Sequence, residues 1–246
     1  MSRRAATKPR TEKSEQSGFH PRRVSHRTEG QKEYIKKVLS SEITFATGPA
    51  GCGKTHIAIG TAVSLFRDRQ VERIILSRPA VDSGSSLGYL PGTMEEKMHP
   101  YLAPLYDELA YYIEAKSLKA WMEHRLIEIV PLSLMRGRTF NNAFVILDEA
   151  QNALMSELRM CLTRIGLNSK MVITGDLSQS DLNNVDQGGL QRCVNRLDRI
   201  PGISVVGLTA DDIVRHPLIS KIENALAGRT PHAALRQTSN DCETSD

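Results

Sequence analysis

The 246-residue chain has no apolar run approaching the roughly 18 residues a membrane span needs. Its opening segment, MSRRAATKPR, carries arginines with no apolar stretch behind them, so a secretory leader is not expected. Cysteine is scarce. Cys52, Cys161, Cys193 and Cys242 form no C-x-x-C pair and no metal-ligand spacing, which excludes a disulfide framework or a zinc knuckle. They are expected to be free thiols in a reducing, cytoplasmic setting. Aromatic residues make up 5% of the chain, with a single Trp, too few for an extended base-stacking platform. Internal repeats are absent, and so is a large charge of one sign, the formal net charge being +4.

What is present is enough for one domain of about 200 residues with tails. Hydrophobic content of 40% and charged content of 24% are ordinary for a globular protein. The charge is uneven. Residues 1–30 hold eight Lys/Arg against three Glu, and the stretch is poor in large apolar residues. A basic, disordered arm over residues 1–27 is expected, serving either as a solubilising tail or as a holder of phosphate backbones through counterion release. The polar residues 229–246 read as a second disordered tail, leaving a core of 28–228.

Within that core, short apolar runs alternate with helical patterns. EITFATG, ERIILSRP, LIEIVPL, NAFVILDE, KMVITGD and GISVVGL read as strands. KTHIAIGTAVSLFRD, QNALMSELRMCLTRIG and QGGLQRCVNRLDRI have apolar residues at helical spacing. The long segment TMEEKMHPYLAPLYDELAYYIEAKSLKAWMEHR reads as helices interrupted at Pro100 and Pro104. Near-continuous apolar strands alternating with amphipathic helices predict an α/β fold with a mainly parallel β-sheet and helices on both faces.

The first chemical motif is GPAGCGKT, which fits the phosphate-loop pattern G-x-x-x-x-G-K-[ST] and lies between a strand and a helix. Gly48, Gly51 and Gly53 let the backbone curl so that N–H groups face phosphate oxygens, with Pro49, Ala50 and Cys52 completing the loop. Lys54 is placed to reach the β- and γ-phosphates of a nucleotide, and the Thr55 hydroxyl to ligate Mg²⁺, with His56 following in the first turn. Cys52 reads as a filler of the loop rather than a redox switch. The second motif, VILDE, ends an apolar strand on Asp148 and Glu149, at the sheet edge where open α/β folds bind ligands. Asp148 is assigned to the Mg²⁺ shell, and Glu149 to orienting and deprotonating the attacking water. A third strand ends in GDLSQSDL, where Asp176 and Gln179 either converge on the γ-phosphate or form an Asx-capped turn. Arg215, after the last strand, is either a guanidinium that stabilises transition-state charge or a surface arginine ahead of a Pro-initiated helix.

These residues resemble the PhoH family of phosphate-starvation-associated ATPases. The likeness covers about residues 28 to 228. It rests on GPAGCGKT, SRPAVDSGSSLGYLPGTMEEKMHPYLAPLYDEL, MRGRTFNNAFVILDEAQN, LTRIGLNSKMVITGDLSQSDL and DIVRHPLI in this order. The resemblance implies a RecA-like P-loop NTPase related to superfamily 1 helicase cores, with DEAQ as the hydrolysis motif and Gln179 as a γ-phosphate sensor. It makes Arg215 an arginine finger, and it places Gln31 where related ATPases read adenine, a surface helix glutamine being the other reading. The loop DSGSS departs from the family in lacking an acid after its glycine. A nuclease-like domain and a KH-type G-x-x-G segment are also missing from the sequence, which is expected to be a core-only member.

Helicases place ATP between two engine domains, and one such domain predicts assembly. A homo-oligomer, with a hexamer favoured, would let Arg215 act on the nucleotide of a neighbouring copy. Arg78, Arg136 and Arg138, beside Phe140, and the basic arm are candidate contacts to single-stranded RNA. The expected function is Mg²⁺-dependent ATP hydrolysis coupled to RNA. The alternative is a nucleotide-controlled switch that recruits protein partners in the phosphate-starvation response, a role taken from the family name alone.

Overall fold

Each of the six apolar runs becomes one strand. The computed structural model describes residues 22–79, 94–179 and 188–214, with backbone alone for 94–100. In chain order the elements are α1 (Glu29–Ser40), β1 (Ile43–Thr47), α2 (Lys54–Arg67), β2 (Arg73–Arg78), α3 (Met94–Tyr112), α4 (Ala115–Glu123), β3 (Ile127–Pro131), β4 (Ala143–Leu147), α5 (Met155–Leu162), β5 (Lys170–Gly175), α6 (Gly189–Leu197) and β6 (Ile203–Gly207). The strands form one sheet in the order β3-β2-β4-β5-β1-β6, and every pairing is parallel.

Strand alternation sorts the core into two layers. Ala46, Ile74, Leu76, Phe144, Ile146 and Val172 pack toward α1, α2, α3 and α4. Phe45, Ile75, Val145, Leu147, Met171 and Ile173 pack toward α5 and α6. Both faces are therefore covered, which is why the central strands carry apolar residues at nearly every position. Thr28 caps α1, its hydroxyl accepting from the Gln31 N–H at 3.2 Å. Among the described residues no helix is long and apolar enough to cross a membrane.

One expectation fails. Pro100 and Pro104 do not interrupt a helix, because α3 runs unbroken for 19 residues through both. An interior proline costs about 3 kcal/mol. Against that, Leu102, Leu105, Leu109 and Tyr112 of α3 are buried in the core, each stabilising the helix by roughly 2 kcal/mol. Pro104 itself is exposed, so its ring takes no core volume. The burial of one helix face outweighs two local defects.

The packing of α3 on α2 is close. A Cβ added at Gly60 would lie 2.5 Å from both Cζ and Oη of Tyr112, so only glycine admits the ring there. Of the basic arm, residues 22–27 are described, and the Arg22 guanidinium lies 4.4 Å from the centre of the Tyr111 ring. The tail at 229–246 and Arg215 lie outside the described residues.

Candidate active site

The phosphate loop connects β1 to α2. Gly51 and Gly53 have φ of 83° and 85°, left-handed values that glycine adopts without cost. Gly48 has φ 155°, and a Cβ there would lie 2.6 Å from the Leu208 carbonyl oxygen, so the loop passes too close to the end of β6 for a side chain. The helix α2 opens on Gly53 with no side-chain cap. Its first-turn N–H groups and the positive end of its dipole thus face the loop's concavity, an arrangement that suits a phosphate. The Lys54 ammonium donates to the carbonyls of Gly48 at 2.6 Å and Pro49 at 2.9 Å. Cys52 is fully buried. Burial pushes its thiol pKa up against the opposing pull of Lys54, consistent with a filler rather than a reactive group.

Asp148 follows β4 and continues the parity of Phe144 and Ile146, which turns its carboxylate to the α2 side. There the Thr55 hydroxyl donates to Asp148 Oδ1 at 2.7 Å and the Thr174 hydroxyl donates to the same oxygen at 2.6 Å. The two halves of the predicted site are therefore in direct contact. Glu149, the next residue, adopts φ 55° and ψ 39°. This left-handed conformation is costly for a non-glycine residue, and Arg78 Nη2 lies near both carboxylates, 2.6 Å from Asp148 Oδ2 and 3.6 Å from Glu149 Oε1. The Glu149 side chain is 46% exposed.

Gln151 is the residue that sequence reasoning left without a role. It is buried, its amide nitrogen donates to Glu149 Oε2 at 2.6 Å, and its amide oxygen accepts from the Asp176 N–H at 3.0 Å. One side chain thus joins the predicted base to the turn after β5. A Cβ at Gly175 would sit 2.9 Å from that amide oxygen, so the turn leaves room for Gln151 only as glycine. Asp176 is buried, with Oδ1 accepting from the Ser178 N–H and hydroxyl and Oδ2 meeting no donor among the described residues. Gln179 lies in the same turn, solvent-exposed, with its N–H directed to the Asp176 carbonyl.

Several other predicted residues are engaged by neighbours distant in sequence. Gln31 is buried rather than on the surface: its amide nitrogen donates to the Cys52 and Asp212 carbonyls at 3.1 and 3.4 Å, and its amide oxygen accepts from the Arg27 N–H at 2.8 Å. It braces the phosphate loop, and adenine reading would require exchanging one of these bonds. The His56 ring is held by α3, with Nδ1 2.9 Å from Glu108 Oε2 and Nε2 2.7 Å from the Tyr112 hydroxyl. Arg78 is turned inward onto Asp148. Arg138 pairs with both Glu128 oxygens at 2.9 Å and lies 4.8 Å from the Phe140 ring centre. Phe140 is fully buried, so it cannot stack on a base, and Arg136 is the exposed member of that pair of arginines. The last described residue before Arg215 is Val214, whose N–H donates to the Gly51 carbonyl of the same chain at 3.2 Å.

These residues fit a nucleotide with Mg²⁺. The cradle is glycine at Gly48, where a Cβ would collide, and at Gly51 and Gly53, where φ is left-handed, and the buried Oδ2 of Asp176 meets no donor among the described residues. Among the described residues no three His, Cys, Asp or Glu gather into a metal cluster. One carboxylate and one hydroxyl, with phosphate and water completing the shell, is the set Mg²⁺ favours over a protein cage.

Residues 23–227 match the family model described as PhoH-like protein. A PhoH-like protein of Bacillus subtilis (strain 168) is 48% identical over 199 residues, covering 81% of this chain and 62% of that one. Protein PhoH of Escherichia coli (strain K12) is 39% identical over 209 residues, 84% of this chain and 57% of that one. The chain therefore spans about three fifths of the length of the curated relatives it matches. Among solved structures, the large terminase of a thermophilic bacteriophage superposes with a TM-score of 0.52 at 12% identity, over 80% of this chain and 49% of that one. That likeness is one of fold, the RecA-like arrangement of a parallel sheet covered by helices.

Proposed function

The chain belongs to the PhoH family and has a nucleotide-binding P-loop ATPase fold, and from that premise we propose that it hydrolyses ATP with Mg²⁺ and couples turnover to single-stranded RNA in a homo-oligomeric ring. The observation that carries the hydrolytic reading is the 2.7 Å bond between Thr55 Oγ1 and Asp148 Oδ1. It unites the phosphate loop with the acidic strand end at the one place where a phosphate-bound cation would need both.

Each residue then has a task. The loop N–H groups and Lys54 bind the phosphates. Thr55 and Asp148 hold Mg²⁺, which when bound offsets charge on the phosphoryl oxygens. Glu149 accepts the proton of the attacking water, and Gln151 holds Glu149 in register for it. Asp176 and Gln179 line the far side, with Gln179 able to donate to phosphate and accept from water. Arg215 supplies charge stabilisation to the nucleotide of a neighbouring copy, which requires a head-to-tail contact that closes into a ring, a hexamer being the favoured number. RNA contact falls to Arg136, to the basic arm and to Arg78 when it is turned outward.

Steady-state ATP hydrolysis with and without single-stranded RNA, using Lys54→Ala as the blank, tests this reading. Several-fold stimulation by RNA is expected. Slow turnover that RNA leaves unchanged, with nucleotide-dependent assembly, would replace it with the switch that recruits protein partners.

A further inference from the structure

Thr174, Asp148 and Arg78 form a row across three adjacent strands. The ladder pairs Leu147 with Ile173 on one side and with Ser77 on the other, and one residue further along all three side chains face α2 and α3. In that row Asp148 is saturated. A carboxylate has about four acceptor positions, and here all four are filled: Thr55 and Thr174 hydroxyls on Oδ1, and Arg78 Nε and Nη2 on Oδ2 at 2.9 and 2.6 Å. The same guanidinium lies 3.6 Å from Glu149 Oε1 and donates through Nη1 to the Tyr101 carbonyl of α3 at 3.2 Å.

A cation, or water bound to it, can approach Asp148 only by displacing one of these donors. Thr174 is fully buried at 0% exposure and fixed in β5. Thr55 lies in the first turn of α2 and itself offers an oxygen to the cation. Arg78 is 18% exposed at a strand end and keeps the Tyr101 carbonyl as a partner when it lets go. It also carries the one charge in the row that repels a divalent cation. Arg78 is the group that leaves.

We propose that Arg78 is a positioning residue that latches Asp148 and Glu149 in an ion-paired arrangement closed to metal, and that Mg²⁺–nucleotide binding displaces it, coupling metal loading to release of the catalytic carboxylate and to a movement felt at α3. The inference rests on the reading of the site as one for ATP and Mg²⁺. It goes beyond that reading in making an inward-facing arginine of β2 the regulator of Asp148.

A latch closed about nine-tenths of the time lowers the apparent affinity for metal about tenfold. The experiment titrates a slowly hydrolysed fluorescent ATP analogue against the full chain in EDTA and in graded Mg²⁺, for wild type, Arg78→Gln and Arg78→Lys. In Arg78→Gln the Mg²⁺ concentration giving half the affinity gain is expected to fall about tenfold, with affinity in EDTA within about twofold of wild type. Arg78→Lys keeps the charge without the fork, so it shifts in the same direction by about threefold, and it serves as the test if circular dichroism shows that the glutamine variant does not fold. An unchanged or raised Mg²⁺ midpoint in a folded variant that still binds nucleotide overturns the latch and makes Arg78 a static brace. If wild type and Lys54→Ala are alike in binding no nucleotide, the site reading itself fails.

Discussion

Replacing Gln151 with Ala breaks the link between Glu149, the proposed base, and the turn after β5. The amide donates to an ionised carboxylate at 2.6 Å, a charge-assisted bond of about 1.5–3 kcal/mol. If that bond serves to hold Glu149 where it meets the attacking water, its loss appears in kcat. At about 1.36 kcal/mol per factor of ten, turnover falls about 10- to 100-fold. The phosphate loop, Thr55 and Asp148 are untouched, so KM for ATP stays within about threefold. The same substitution strands the buried Asp176 N–H that the amide oxygen now satisfies at 3.0 Å. Together the losses cost about 2–4 kcal/mol, and the melting temperature drops by roughly 5–15 °C. Gln151→Met is the control, because it preserves most of the volume while removing both bonds. It is expected to spare the packing loss of the alanine variant and still to lose the turnover. The assay is steady-state hydrolysis below the melting transition, paired with a thermal melt. Turnover unchanged in Gln151→Ala, or a loss confined to KM, would refute the positioning role.

Gly60→Ala forces Tyr112 to move, its Oη and Cζ lying 2.5 Å from the new methyl. Overpacking of about 1–3 kcal/mol exceeds the helix-propensity gain of about 1, so the urea midpoint should fall, and a rise would show that α3 yields freely. Asp212 is acidified: burial opposes this, but bonds from Thr209, Thr28 and Gly30 outweigh it and hold the carboxyl below its ordinary range. That stability is present above the unfolded value of about 4 and is lost as pH falls through the lower folded value. Chemical denaturation from about pH 5 down to about pH 3 should therefore weaken wild type more steeply than Asp212→Asn, and equal slopes would remove Asp212 as the source. Arg215→Ala and Glu149→Gln, each slow alone, should regain part of the turnover when mixed if the arginine acts between copies. Absence of rescue would leave Arg215 acting on its own chain's nucleotide, near the loop that Val214 touches, or not at all.

The sheet was legible because buried parallel strands must be apolar on both faces, and each such run ended in a turn signal. The phosphate loop was legible because its glycines answer a steric need that no other residue meets. What escaped depends on partners distant in sequence. Arg78 reads as an exposed strand end until the register sets it beside Asp148, 70 residues away. Phe140 reads as a stacking aromatic on an arginine loop until its contact with Ile165 and the α5 layer buries it. Gln31 reads as one polar residue on an amphipathic helix, and only the approach of Cys52 and Asp212 explains its burial. The prolines of α3 misled because local helix propensity was weighed without the core that one face of that helix covers. Gln151 could have been found from its position two residues after Glu149, had the left-handed turn at Glu149 been foreseen.

On the proposed reading Glu149 carries the hydrolytic chemistry, and its replacement is the most direct test. The measurement is nucleotide binding and single-turnover hydrolysis by Glu149→Gln beside wild type. ATP is expected to bind at wild-type affinity and to remain uncleaved, because Lys54, Thr55 and Asp148 are intact and only the proton acceptor is gone. Hydrolysis at the wild-type rate in a folded Glu149→Gln chain would contradict that role and place the chemistry on another residue.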